Sequence, residues 1–187
     1  MEQTAHPTIR TISDPAEASR ILNDLAPVYE EVYADPPYNE GPRDVAEWLD
    51  LYAKQIHIDG FRLATAHIAD ELVGFSYGFP LPSTSGWWRN FLPPAPDLGE
   101  EFTAENGRRT FSIREFAVLV SHRRHGIARG LHAALLHGNP AERFTLTARP
   151  EAPAALALYE SLGYQRLGLV RPWDTAPVYE CMVLPLR

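Results

Sequence analysis

The chain has 187 residues, of which 45% are hydrophobic and 22% are charged, a balance typical of globular proteins and unlike that of disordered, collagenous or coiled-coil chains. A formal net charge of −7 argues against a general nucleic-acid-binding protein, which needs basic residues to neutralise phosphates. The single cysteine, Cys181, excludes an intramolecular disulfide framework and fits a reducing compartment.

The length and the N-terminus predict one cytoplasmic domain. At about 100–200 residues per domain, residues 1–187 are expected to form a single domain. The sequence has no apolar run of about 18 residues, the length of a membrane helix, and its N-terminus lacks the basic and apolar regions of a secretory signal. We therefore expect no membrane partner.

Charge is unevenly distributed along the chain. Residues 1–107 carry a net charge of −12, whereas residues 108–187 carry +5. The acidic part suits a cationic ligand, and the basic part suits a small polyanion.

The first elements are a strand and two helices. Residues 8–12 alternate and predict an opening strand. Either Ser13 or Asp14, which a proline directly follows, is expected to cap a helix that three- and four-residue apolar spacing continues to about residue 34. A rigid, proline-rich loop at 35–42 precedes a second amphipathic helix with apolar positions between 45 and 56.

A hairpin and a long loop follow. Residues 61–68 and 71–79 predict two strands joined by a tight turn. Between residues 80 and 108 prolines and glycines replace any periodic pattern, and a loop this long inside a compact domain is usually functional. Trp87 and Trp88 in its middle are expected to be exposed and to line a substrate site. The alternative is that both rings pack the loop onto the core.

The second half alternates strands and helices. In chain order these are a strand at 111–120, a helix at 127–137, a strand at 144–148, a helix at 154–162, and strands at 164–170 and 178–184. Gly163 lies where a helix C-terminal cap is expected. The complete order, β-α-α-β-β-β-α-β-α-β-β, predicts a mixed sheet with helices on both faces.

The turn before the helix at 127–137 has the features of an anion site. Gly126 permits a tight turn and close approach of a ligand, and Ala128 is small enough for the same approach. Free N–H groups and the dipole at a helix N-terminus bind pyrophosphate well. Several bases and no acid occur between residues 116 and 140. The alternative is a solvated basic turn.

Two motifs in this half resemble those of the GNAT superfamily of N-acetyltransferases. Arg123-Arg124-His125-Gly126-Ile127-Ala128 matches the pattern Gln/Arg-x-x-Gly-x-Gly/Ala and directly follows a strand. Residues 155–164 (ALALYESLGY) resemble the second signature, A-x-x-LYE-x-x-GF/Y. The resemblance covers nearly the whole chain. It implies a mostly antiparallel central sheet of about seven strands flanked by helices, and an acetyl-CoA-dependent N-acetyltransferase.

The resemblance also implies how acetyl-CoA, the acyl donor, would bind. Its pantetheine arm would bind the main chain of Val118 and Val120, and its pyrophosphate the amides from Arg124 to Arg129. The complete set of implied CoA-binding residues is Ala117, Val118, Val120, Arg123, Arg124, His125, Gly126, Ile127, Ala128, Arg129 and Ala155. One position departs from the family: the asparagine that many members carry is Ala152 here, with Arg149 as a candidate replacement.

The implied reaction is direct attack of a primary amine on the acetyl thioester. The amine must lose a proton to a base or a water chain, and the departing CoA thiolate benefits from a proton donor. The resemblance makes Tyr159 that donor, the alternative being a core aromatic. Glu115, the only acid on the strand at 111–120, is the candidate base, the alternative being an ion pair with a neighbouring arginine. Thr147, where a few relatives carry glutamate, is no base.

The acceptor is expected to be a small-molecule or peptidic amine with a positive charge. Four aromatic residues in or beside the loops at 35–42 and 80–108 form the candidate acceptor site: Tyr33, Tyr38, Trp87 and Trp88. The same loops carry five acids: Asp35, Glu40, Glu100, Glu101 and Glu105. Acids with aromatic rings suit an ammonium group that also presents an apolar face. The alternative is that the acids only confer solubility.

Other chemistries are less well supported. Four histidines between residues 122 and 137 lack a cysteine or carboxylate partner and lie among arginines, so no metal is expected. Cys181 fits a buried structural cysteine in the last strand. The competing function is a non-catalytic acyl-CoA-binding or sensor module of the same fold. A homodimer is left open.

Overall fold

The computed structural model describes residues 6–186. Within them the elements are, in order, β1 (Thr8–Ile12), α1 (Pro15–Arg20), α2 (Leu22–Ala34), α3 (Pro42–Gln55), β2 (Arg62–Ile68), β3 (Glu71–Pro80), α4 (Gly99–Thr103), β4 (Thr110–Val118), α5 (Ile127–Leu136), β5 (Arg143–Ala148), α6 (Pro153–Ser161), β6 (Gln165–Val170) and β7 (Tyr179–Pro185). A single 3-10 turn, Val120–His122, links β4 to α5. No helix within the described residues is long and apolar enough to span a membrane.

The strands form a seven-stranded sheet in the order β1-β2-β3-β4-β5-β7-β6. The pairs β1–β2, β2–β3, β5–β7 and β6–β7 are antiparallel, whereas β4 and β5 run parallel. The predicted fold, a mostly antiparallel sheet of about seven strands flanked by helices, is therefore confirmed.

The chain groups into two compact units. The first consists of residues 6–79 and 114–139, and the second of residues 80–113 and 140–186. Strand β4 contributes its last five residues to the first unit and its first four to the second. The single domain expected over residues 1–187 stays a prediction.

The first unit has an aromatic core between α3 and β3, where the Trp48 ring lies 5.8 Å from that of Phe75 and the Tyr52 ring lies 5.2 Å from that of Tyr77. Of the two candidate N-caps, Ser13 and Asp14, Asp14 is the one that caps α1, because it accepts a hydrogen bond from the Glu17 N–H at 2.9 Å. The single helix expected from Asp14 to residue 34 is wrong, because Ile21, with φ −83° and ψ −5°, separates α1 from α2. Helix α5 contacts β1 and β2, and Gly130 allows this approach, since an added Cβ would lie 3.3 Å from Ile9.

The second unit has its own core. Trp88 belongs to a cluster of buried residues on the long loop and the last two strands, namely Leu81, Trp88, Val170, Cys181 and Val183. The Cys181 side chain is 1% exposed, and burial raises the pKa of its thiol to about 12. The prediction of a buried structural cysteine is confirmed.

Two predicted element bounds need correction. The strand expected at 111–120 ends at Val118, where the chain enters the 3-10 turn. The loop expected to be irregular from 80 to 108 contains α4, a helix of only five residues. A helix this short has too few turns to show periodicity in the sequence.

Candidate active site

The turn between β4 and α5 has the backbone of an anion-binding loop. Gly126 is the N-cap of α5 and adopts a left-handed conformation, with φ 79°. A Cβ added there would meet nothing within 4 Å, so the space beside this backbone is open. Arg124, two residues earlier, is also left-handed, with φ 66°. The N-cap supplies no side-chain hydrogen bond to α5, and the first N–H groups of a helix have no acceptor within the helix itself and can bind an anion.

Positive charge surrounds this turn. The side chains at positions 123, 124, 125 and 129 are exposed arginines and a histidine. The Arg123 Nε donates a hydrogen bond to the Val118 carbonyl at 3.0 Å, which ties the basic turn to the end of β4. Open space, uncapped N–H groups and arginines fit the diphosphate of a CoA molecule.

The other residues implied to bind CoA differ in exposure. Ala117 and Ile127 are buried, so their main chain is what they can offer to a ligand. Val120 is 52% exposed, which suits contact with an apolar part of a ligand. Ala128 and Ala155 are half-buried.

Strand β3 holds the end of β4 that leads into the turn. The Leu119 N–H donates a hydrogen bond to the Val73 carbonyl at 3.0 Å. A Cβ on Gly74 would lie only 2.8 Å from the Ala117 carbonyl oxygen. The close approach of the two strands therefore requires glycine at position 74.

Glu115, the predicted base, lies on β4 in an environment that weakens its acidity. The residue is half-buried, yet its carboxyl group is desolvated, and this raises its pKa to about 8, with a smaller contribution from the negative charge of Glu40. The Tyr33 hydroxyl donates a hydrogen bond to the carboxylate and opposes the shift. The Ser76 hydroxyl donates to the Glu115 carbonyl at 2.8 Å and fixes the backbone there.

The alternative of an arginine ion pair for Glu115 receives little support. The adjacent Arg114 guanidinium lies 5.4 Å from the centroid of the Phe79 ring, and its effect on the Glu115 pKa is the smallest of the four contributions. Adjacent residues on a strand point to opposite faces, which fits the small effect of Arg114 on the pKa of its neighbour.

Tyr33 and Tyr38 lie in an aromatic group beside this acid. Their rings meet edge to face with centroids 4.9 Å apart, and the Tyr29 ring lies 4.5 Å from that of Tyr33. The Tyr29 hydroxyl donates to Glu40 at 2.7 Å. Two predicted acceptor residues, one predicted loop acid and the predicted base thus occur together in the first unit.

Sequence reasoning missed Tyr29. Its spacing from other apolar residues predicts the apolar face of a helix, and its side chain is indeed buried on α2. The signal that could have found it is the phenol itself, because a buried hydroxyl needs a hydrogen-bond partner.

Tyr159, the predicted acid, lies on α6 in the second unit. Its side chain is 8% exposed, and its ring meets that of Tyr164 at a centroid distance of 5.9 Å. Gly163, with φ 96°, follows the helix, and the Tyr164 N–H donates to the Tyr159 carbonyl at 3.0 Å. The predicted glycine cap holds both tyrosines at the end of this helix.

Ala152, the position where the family pattern is broken, and Arg149, its candidate replacement, lie just before α6. Ala152 is buried and serves as its N-cap without a side-chain hydrogen bond. The Arg149 Nε donates to Glu151 at 3.2 Å, and its guanidinium lies 5.9 Å from the Tyr179 ring centroid.

The expected exposure of the two loop tryptophans is wrong. Trp88 is 7% exposed, and its indole N–H donates to Glu105 at 2.7 Å. Trp87 is half-buried, and its indole N–H donates to the Thr145 hydroxyl at 3.0 Å. The long loop turns these apolar rings inward because α4 and β5 provide surfaces for them. Their contact with an acceptor stays a prediction.

Glu105 is likewise not an exposed loop acid. Its side chain is 1% exposed and pairs with Arg143 at 2.9 Å. The Arg143 guanidinium also lies 4.1 Å from the Phe102 ring centroid and 4.8 Å from that of Trp88. This buried pair fastens the long loop to β5 within the second unit.

Within residues 6–186, no group of three or more His, Cys, Asp or Glu side chains is arranged to hold a metal ion. His132 is buried, and burial lowers the pKa of its imidazole to about 4. It is therefore a neutral side chain of the core.

Comparison with known proteins gives a family and a fold. The family model described as "Acetyltransferase (GNAT) family" matches residues 19–164. No curated protein matches the sequence at a significant level.

Solved structures with a similar fold include three acetyltransferase-related proteins. The ribosomal-protein-S18-alanine N-acetyltransferase from Escherichia coli is 16% identical, with 97% of this chain and 94% of that chain covered and a TM-score of 0.65. The PaiA N-acetyltransferase from Thermoplasma acidophilum in complex with coenzyme A is 10% identical, with 96% and 99% covered and a TM-score of 0.62. The yncA protein from Salmonella typhimurium with its cofactor acetyl-CoA is 17% identical, with 97% and 95% covered and a TM-score of 0.62.

At these identities the solved structures support the fold, and the family assignment comes from the sequence. The family model spans most of the chain, including the Gly126 motif and the Tyr159 segment. The protein therefore belongs to the acetyltransferase (GNAT) family and is an acyltransferase, as its two motifs predict.

Proposed function

We propose that the protein transfers an acetyl group from acetyl-CoA to a primary amine of a small-molecule or peptidic acceptor, with Glu115 as general base and Tyr159 as general acid. The observation that carries the proposal is the state of Glu115. Its desolvated carboxyl has a pKa raised to about 8, close to the operating pH at which a general base is most effective. An ordinary surface glutamate would be too weak a base for an amine proton.

Support for acetyl-CoA as the donor comes from the turn at Gly126. Its open backbone, uncapped helix N-terminus and arginines suit a diphosphate. Two solved proteins of this fold hold CoA or acetyl-CoA. In the proposal the main chain at Val118 and Val120 binds the pantetheine arm, with Val120 offering an exposed apolar surface.

The proposed chemistry has two proton transfers. Glu115 accepts a proton from the acceptor amine, whose nitrogen forms a bond to the thioester carbonyl carbon. The carbon–sulfur bond breaks, and the Tyr159 hydroxyl donates its proton to the leaving sulfur. The phenol then regains a proton from solvent, and Glu115 releases one. Each positioned transfer contributes about 10²–10⁴-fold to the rate.

The proposed acceptor is a cationic amine with an apolar or ring face. Tyr38 is half-buried and meets the ring of Tyr33, whose hydroxyl binds Glu115, so aromatic surface lies beside the acids of this site. Rings attract ammonium groups by about 0.5–2 kcal/mol, and a nearby carboxylate adds to that attraction. A polyamine, an amino sugar or a peptide N-terminus has this chemistry.

The pH dependence of the reaction tests the role of Glu115. Below pH 8 the carboxyl is mostly protonated and cannot accept a proton, so kcat/KM should rise about tenfold per pH unit and level off near pH 8. Thiol release from acetyl-CoA is followed with an aromatic amine as acceptor, because its nitrogen stays unprotonated over this range. Glu115→Gln should remove this acidic limb, the rise of kcat/KM with pH, and should lower kcat/KM at pH 8 at least about tenfold.

Glu71 provides the matched control for this experiment, since it is an exposed carboxylate on β3 of the same unit. Glu71→Gln removes the same charge and should keep the parent profile. A pH limb that persists in folded Glu115→Gln would assign the titration to another group and refute Glu115 as the base.

Salt tests the charge of the acceptor. The KM of a polyamine should rise with ionic strength, because charges beyond about 8–10 Å are screened at physiological salt. The KM of the uncharged aromatic amine should stay nearly constant in the same series at saturating acetyl-CoA. A polyamine KM that is indifferent to salt would exclude attraction by the acids of this site.

A further inference from the structure

Helix α2 carries two buried tyrosines one turn apart, and each binds a glutamate from a different part of the chain. The Tyr29 hydroxyl donates to Glu40 Oε2 at 2.7 Å. The Tyr33 hydroxyl donates to Glu115. The two rings lie 4.5 Å apart. The tyrosine pair therefore brings Glu40, which follows α2, close to the proposed base on β4.

The position of Glu40 is fixed by its backbone and by its phenol partner. The Glu40 N–H donates to the Tyr33 carbonyl at 2.9 Å. The preceding residue, Asn39, adopts a left-handed conformation with φ 52° that turns the chain back onto α2. Tyr29 stacks on Trp48 with ring centroids 4.1 Å apart and an interplanar angle of 9°. These contacts hold the Glu40 carboxylate in one fixed position.

We propose that Glu40 is a positioning residue for acetyl transfer, whose Tyr29-bound carboxylate acts on the neighbouring Glu115 and sets its strength as a base. This inference rests on the proposed function, in which Glu115 accepts the amine proton. Glu40 itself needs no contact with the acetyl group or with the amine.

The direction of the effect follows from the surroundings of the two carboxyl groups. Desolvation raises the pKa of both, but it is more complete at Glu115, and the Tyr29 hydrogen bond lowers the pKa of Glu40. Glu40 therefore ionises first. Its negative charge then opposes ionisation of Glu115 and makes that carboxylate a stronger base.

The other titratable groups near Glu40 and Glu115 either shift the pKa of these carboxyl groups or have their own pKa shifted by them. Burial, and to a smaller extent the charge of Glu115, raises the pKa of Tyr29 on α2 and of Tyr77 on β3, so both phenols stay neutral donors. Arg114 on β4 lowers the pKa of Glu115, and Asp44 on α3 raises that of Glu40. Among these charged neighbours, Glu40 is the one that strengthens Glu115 as a base.

The test measures the titration of Glu115 directly and through catalysis. Carbon-13 NMR of glutamate carboxyl carbons follows the titration, and the signal missing from Glu115→Gln identifies that residue. In Glu40→Gln, which keeps the size of the side chain and its acceptor for Tyr29, the midpoint of Glu115 should fall by about one pH unit. The acidic limb of kcat/KM with the aromatic amine should fall with it.

Two further variants separate charge from packing. Glu40→Asp keeps the charge and should keep both the titration and the pH limb close to those of the parent. Glu31→Gln removes an exposed charge from α2 and should also leave both unchanged. Urea unfolding of each variant shows whether it is folded at the pH values used.

The outcomes distinguish this inference from the function on which it rests. A Glu115 midpoint that is the same in folded Glu40→Gln as in the parent would overturn the role of Glu40. If the midpoint falls but the kcat/KM limb does not move, Glu115 is not the base, and the proposed mechanism fails together with the catalytic role of Glu40. A shift of both in Glu40→Gln, with neither moved in Glu40→Asp, supports the inference.

Discussion

Gly126→Glu should abolish acetyl-CoA binding while the protein remains folded. The new side chain has room, because a Cβ at this position meets nothing within 4 Å. It places a carboxylate at the N-terminus of α5, where the proposed diphosphate would lie. Juxtaposed like charges cost several kcal/mol, so we expect the affinity to fall at least about 100-fold, or about 2.7 kcal/mol.

Gly138 provides a matched control at the other end of the same helix. It is also left-handed, with φ 62°, and a Cβ there likewise meets nothing within 4 Å. A side chain in this conformation costs about 1–2 kcal/mol at either position. Gly138→Glu should therefore lose a similar free energy of unfolding to Gly126→Glu but retain the parent affinity for acetyl-CoA.

Calorimetric titration with acetyl-CoA and urea unfolding of all three proteins check this prediction. Equal affinities for acetyl-CoA in the parent and in folded Gly126→Glu would show that the turn at Gly126 does not bind the diphosphate. Equal losses in both glutamate variants would indicate that any strain at the ends of α5 disturbs binding, and the assignment of the diphosphate to Gly126 would lose its support.

The parts of the fold that the sequence predicts correctly are those determined by residues close together in the chain. The Asp14 cap, the hairpin of β2 and β3, and the glycines at 126 and 163 all depend on interactions between residues close in the chain. The two family motifs also lie in continuous segments. Structure that is determined within a few residues can be inferred from those residues.

The errors at Trp88 and Glu105 concern interactions between distant segments. Prolines and glycines around Trp88 suggested an exposed loop, but Arg143, 55 positions later, provides a cation for both the Trp88 ring and Glu105. The proximity of Glu40 to Glu115 likewise depends on two tyrosines of α2 and on strand β4. No periodic pattern in the sequence encodes which segments meet in this way.

Tyr159→Phe should lower the rate of the chemical step about 10²–10⁴-fold, the usual contribution of a positioned general acid. The substitution removes one oxygen and keeps the ring, which is 8% exposed and packed against Tyr164. Since the hydroxyl is proposed to protonate the leaving sulfur and not to hold the donor, the affinity for acetyl-CoA should change little. Single-turnover thiol release measures the chemical step, and calorimetry measures the affinity.

Tyr164→Phe separates catalysis from packing in this experiment. Tyr164 is the more deeply buried of the two tyrosines, and burial raises the pKa of its phenol well above the usual value, so it is a poor proton donor. Removal of its hydroxyl should cost about 0.5–1.5 kcal/mol of unfolding free energy and leave the single-turnover rate within a few-fold of the parent. Similar rate losses in the two folded variants would show that the hydroxyls support the packing of α6, and Tyr159 would then be a core residue and not the acid.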